Sequence, residues 1–223
     1  MMSNFTLEDL SVLRLGLGKV LEATNLNSTR CVYSSALLKH FLDKAGVENR
    51  YFVGEANALN RPAYELITKA TGSDMTADEF KQKFTETGSR WVAIRAAVED
   101  SSDPQFTALI AESNQLGGHI ANLVNLNDEF YLVDMTAYQF NRPPTLNISG
   151  ESGQICLPLE QSEYESGRID RISEEAYIQY EQKPVPRFEA LPETGSDKDA
   201  TRYEAVFAAA TRVVEQLNLP VSG

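Results

Sequence analysis

With 223 residues, 42% of them apolar and 23% charged, the chain has a globular composition and can bury a core without disulfides or metal. Its formal net charge of −12 and pI near 4.7 argue against nucleic acid and membrane surfaces as partners, because phosphate backbones and anionic lipid heads are repelled. The opening segment lacks a basic n-region and no apolar run reaches the roughly 18 residues of a membrane span. The expectation is therefore one domain over 1–223, cytoplasmic, with Cys31 and Cys156 as free thiols.

Thr6 with Asp9 marks the first helix start, and Leu7, Leu10, Leu13, Leu17 and Leu21 follow at helical spacing, weakened by Gly16 and Gly18. A polar stretch, Asn25 to Thr29, leads to Ser28 as the cap of a second helix that runs to about Ala45 and stops at Gly46. Cys31 lies in its first turn. The segment "RYFVGEA" then reads as a strand. Residues 60 to 116 read as mostly helical, within an insertion over about 56–116. Thr76 and Glu79 form a capping box, Pro104 opens "PQFTALIAESNQL" as a helix, and "RWVAIRAAV" between them is a strand. Residues 119 to 135 form a hairpin, 141 to 154 a loop, and "ICLPLE" a strand. After a polar, proline-bearing segment at 183 to 197, a last helix over about 198–217 buries Tyr203, Val206, Phe207, Ala210, Val213, Val214 and Leu217, and Pro220 ends it.

Three residues in this layout carry chemistry. A helix mouth offers partial positive charge and free N–H groups, which favour a thiolate at Cys31 and can hold an oxyanion; Asn25 or Asn27 would add a donor. His40, nine residues later, falls on the opposite side of the helix and is expected to face solvent. His119 is the other histidine in the chain. With Asn127 and Asp128 as turn residues, Leu126 pairs with Glu129, Ala121 with Asp134, and His119 faces Thr136. Asp134 is then the diagonal, same-face neighbour of His119, placed to orient its ring. A thiol, an imidazole and a carboxylate are the parts that nucleophilic acyl transfer needs. Metal-ligand patterns such as CxxC or HExxH are missing, as are a GxSxG elbow and a full phosphate loop, so neither a metal nor a cofactor is expected. Cys156 is expected to be structural.

The segments "CVYSSALLKHFLDKAGVENRYFVGEA" and "GHIANLVNLNDEFYLVDMT" resemble the transglutaminase-like branch of the papain-like cysteine enzymes. The likeness covers about a third of the chain. It implies an α+β papain-like core, a cysteine-bearing helix packed on a small antiparallel sheet, with the helical insertion and a C-terminal helix added. It also implies Cys31 as nucleophile, His119 as base and Asp134 as orienting acid, with Gln139 and Phe140 of "DMTAYQF" near the site. Two departures stand out: Cys31 and His119 are 88 positions apart, and Ile120 replaces the aromatic residue that often follows the histidine. Arylamine N-acetyltransferases share the order of the three residues, but this chain has "NSTRC" where they carry Arg-Gly-Gly before the cysteine. The expected activity is acyl transfer through a thioester, first of all hydrolysis of peptide or protein amides. Amine transfer, arylamine-type N-acyl transfer and an inactive binding module for a basic partner are the alternatives.

Overall fold

Helical and alternating apolar spacings sort this chain into a mixed α plus β fold around an antiparallel, nearly closed sheet. The computed structural model describes residues 4–24, 30–95, 114–116, 118–185 and 197–220. The proposed donors Asn25 and Asn27, the cap Ser28 and residues 104–113 of the expected Pro104 helix lie outside them.

Helix α1 (Leu7–Ala23) begins at a capping box in which the Thr6 side chain accepts from the Asp9 N–H and the Asp9 carboxylate accepts from the Thr6 N–H. Its two glycines serve close approach. A Cβ on Gly18 would lie 2.3 Å from the Gln154 side-chain nitrogen, which reaches across to donate to the Arg14 carbonyl. Helix α2 (Arg30–Lys44) carries Cys31 and ends at Gly46, whose φ of +69° suits glycine.

Strand β1 (Glu48–Asn60) is the hub of the sheet, longer than the expected "RYFVGEA". Its first half pairs with β4 (His119–Leu126), and its second half pairs with β2 (Trp91–Arg95) and with β8 (Ala176–Gln182). Helices α3 (Arg61–Ala70) and α4 (Ala77–Glu86) follow β1, the latter on the expected Thr76–Glu79 box. The strand expected at "RWVAIRAAV" is β2, and the region supplies a further strand, β3 (Asn114–Leu116), which pairs parallel to β2 where the end of the Pro104 helix was expected. Register with β2 and the short run into β4 override local helix propensity there.

The hairpin of β4 and β5 (Glu129–Asp134) closes through Asn127 and Asp128 at φ of 55° and 71°, the mirror-turn geometry that matches strand twist, and Leu126 pairs with Glu129 as expected. Strand β6 (Ile155–Leu159), helix α5 (Gln161–Ser166) and strand β7 (Arg168–Ile172) complete the sheet with β8, and α6 (Asp197–Gln216) ends the described chain. Alternation divides the hairpin between two cores. Val124, Leu126, Tyr131, Val133 and Met135 pack under α1, α2 and α6. Ala121, Leu123 and Leu132 face the sheet interior with Phe52, Phe140, Ile169 and Tyr180.

His40 is not solvent-facing. Its ring lies edge-on to Phe207 of α6 at 4.5 Å and to Phe41 at 5.1 Å, with Nε2 buried, so that burial first and Lys44 second hold its pKa below the usual value. The helical wheel of α2 alone does not reveal that α6 covers this side. Cys156 is half-buried on β6 against the helical core, and burial pushes its thiol pKa up.

Candidate active site

The register of β4 and β5 puts His119 and Asp134 on the interior face of the sheet. There the ring Nε2–H donates to Asp134 Oδ2 at 2.7 Å, and both side chains are 0% exposed. Three further hydrogen bonds hold the carboxylate. The Tyr180 hydroxyl from β8 donates to the same Oδ2 at 2.8 Å, and the Thr136 N–H and hydroxyl donate to Oδ1 at 2.8 and 3.1 Å. Burial alone pushes the Asp134 carboxyl up; the His119 charge and hydrogen bond, then Thr136 and Tyr180, outweigh it and leave the pKa below the ordinary carboxylate value. For Tyr180, burial and the Asp134 charge push the hydroxyl well above its usual range, so it stays a donor.

A carboxylate only accepts, so the 2.7 Å contact places a proton on Nε2; in the neutral ring Nδ1 then carries the lone pair. That nitrogen is buried and has no hydrogen-bond partner among the described residues. Phe140 crosses the ring edge-to-face at 5.5 Å and Tyr180 tilts over it at 6.1 Å, which limits its rotation. Phe140 is therefore at the site as expected, on a 3₁₀ turn over Ala137–Phe140 that also carries Gln139.

Cys31 arrives from the other face. Helix α2 is pinned to β4 by Ser35, whose hydroxyl donates to the Ile120 carbonyl and whose own carbonyl accepts from the Asn122 side chain. One turn earlier, Cys31 is 8% exposed in a small cluster with Ile120 and Val185, against which Tyr51 and Val53 pack. The thiol thus packs with the residue that follows His119, while the imidazole projects from the opposite side of the strand. His119 and Asp134 are bonded to each other; Cys31 is brought to the same end of β4. No acidic residue occupies the first turn of α2, so its positive end is not neutralised locally.

Gly118 sits at this junction with φ of +73°, and a Cβ there would lie 2.7 Å from Val185. Gly118→Ala combines left-handed strain with a collision against the side chain that packs with Cys31. It is expected to lower stability by about 1–3 kcal/mol in urea titration, with Val185→Ala relieving the steric part.

Tyr180 and Val185 escaped sequence reasoning, and Thr136, expected only to face His119, holds Asp134. Tyr180 is 46 positions from the carboxylate it contacts, in the polar segment "AYIQYEQ", and only the pairing of β8 with β1 brings it in. Among the described residues no group of three or more His, Cys, Asp or Glu side chains could hold a metal, and no helix is long and apolar enough to cross a membrane. Comparison with protein-family models, with curated proteins and with solved structures finds no match.

Proposed function

We propose that this chain is a cysteine-dependent acyl-transfer enzyme with a transglutaminase-like, papain-like arrangement of Cys31, His119 and Asp134. The observation that carries the reading is the imidazole held by Asp134 through Nε2–H, with Nδ1 buried and unpartnered among the described residues and Cys31 packed on the other side of the same strand end. In this scheme a shift of α2 must first bring the thiol round the end of β4 to the imidazole side; Nδ1 then takes the thiol proton and the sulfur attacks an amide carbonyl carbon. The oxyanion faces the N–H groups of the first turn of α2. The imidazolium then protonates the leaving amine as the C–N bond breaks and the thioester forms. Water, deprotonated by Nδ1, attacks the thioester carbonyl; the tetrahedral adduct expels the sulfur, releases the acid and restores the thiol. Peptide or protein amides are the first substrate class, and an amine in place of water gives transglutaminase-type transfer.

Iodoacetamide labelling against pH tests this in a Cys156→Ser background, which leaves Cys31 as the single thiol. An activated Cys31 labels well below pH 8, and His119→Ala returns it to an ordinary thiol with a midpoint of about 8.5. Identical profiles in the two proteins would overturn the assignment.

Complete burial of the imidazole and carboxylate favours a second reading, in which the pair is a core fastening and the chain is a non-catalytic binding module. The acidic balance of −12 then suits a basic partner. That reading expects slow labelling of Cys31 at neutral pH whether or not His119 is present.

A further inference from the structure

Helix α1 turns most of its leucines inward, and its exposed positions other than Leu7 and Ala23 form one stripe. The positions exposed at 4-3-4-3 spacing are Glu8, Val12, Leu15, Lys19 and Glu22. This is the seam spacing of a helix that packs against another helix. Val12 is 36% and Leu15 50% exposed, and of the four large apolar side chains left exposed among the described residues, three are on α1. Isolated exposed apolar residues need no explanation, but a pair at the centre of a seam, bracketed by opposite charges, does.

The order of charges selects the occupant. Glu8 and Lys19 are eleven positions apart, about 16 Å along the axis, too far to pair within one helix. Among the described residues neither has an ion-pair partner. Place a second α1 antiparallel, with the twofold axis between residues 13 and 14. Glu8 then lies level with Lys19 of the other copy, Val12 with Leu15, and each pairing occurs twice. A parallel copy sets Glu8 against Glu8 and Lys19 against Lys19.

We infer that this face of α1 is a homodimer interface, an antiparallel, two-fold pairing of the helix with itself around Val12 and Leu15. One helix per copy makes a small patch, so the dimer belongs to the weak, micromolar class. Such an isologous contact closes on itself.

Sedimentation equilibrium on the full chain, up to roughly 0.1 mM, tests the pairing. The wild type is expected to be a reversible dimer. Leu15→Lys, whose lysine is tolerated on an exposed helical face, is expected to weaken it by more than about tenfold, since each change acts twice. Lys19→Glu alone is expected to weaken it as well, and Glu8→Lys with Lys19→Glu to restore it. A chain that stays monomeric over this range overturns the inference. So does a dimer indifferent to Leu15→Lys, or a double reversal no better than the single one. Circular dichroism of each variant confirms that α1 is intact, so that loss of pairing is not loss of fold.

Discussion

Asp134→Ala is expected to be the most destabilising single change at the site, lowering the free energy of unfolding by about 3–5 kcal/mol in urea titration. The cost is in what it leaves behind. His119 Nε2–H, the Tyr180 hydroxyl and both Thr136 donors all point at this carboxylate, and all are buried. Removing the acceptor strands them together, and each unsatisfied buried group is expensive. Tyr180→Phe removes one donor and leaves the carboxylate with three, so about 1.5–3 kcal/mol is expected for it. The pH dependence has a definite sign. The folded pKa of Asp134 is depressed, so the stabilisation it brings is fully present above the unfolded carboxylate value of about 3.9. It is lost as pH falls through the folded value. The wild type should therefore lose stability below about pH 4 more steeply than Asp134→Asn, in urea midpoints measured across that range. Parallel acid limbs would mean that the carboxylate is not held as the four hydrogen bonds imply.

How much of this site was legible in the chain differs from element to element. The pairing of His119 with Asp134 followed from local chemistry. Asn127 and Asp128 tolerate positive φ, two-residue turns fix register, and a register fixed at one end places a diagonal pair five to seven residues further along. The end of helix α2 was legible for a similar reason, since Gly46 closes it, while its expected cap Ser28 lies outside the described residues. The residues that hold the carboxylate were not. Tyr180 reaches Asp134 only because β8 pairs with the second half of β1, and a seven-residue polar strand carries no mark of its partner. The strand at Asn114–Leu116 was hidden in a helical pattern, because three residues hold too little propensity to outweigh pairing with β2. The face presented by Cys31 was invisible as well. The sequence placed it at a helix mouth, but packing against Ile120 rather than against the interior face comes from where Ser35 pins α2 to β4. That geometry puts the thiol and the imidazole on two sides of one strand end, and Val185 and Gly118 fill the space around it.

Asp134→Asn separates orientation from simple support, and its effect on turnover is expected to be the largest of any conservative change, about 10⁴-fold if the proposed mechanism operates. The asparagine oxygen can keep the two Thr136 donors on the Oδ1 side. Its amide nitrogen then takes the place of Oδ2, facing Tyr180 and His119 Nε2. The Tyr180 hydroxyl can turn from donor to acceptor. The imidazole can meet an N–H only by giving up its own proton at Nε2 and carrying it on Nδ1 instead. Packing is nearly unchanged, so the chain is expected to fold, with a smaller stability loss than Asp134→Ala. The nitrogen that would receive the Cys31 proton is now blocked by a hydrogen. Nitrogen-15 shifts of His119 should show the tautomer reversed, and Cys31 should label with iodoacetamide as slowly as it does in His119→Ala. Reversed shifts with unchanged labelling would remove Nδ1 from the chemistry. Unreversed shifts with lost labelling would assign Asp134 an electrostatic role on the imidazolium rather than control of the ring tautomer.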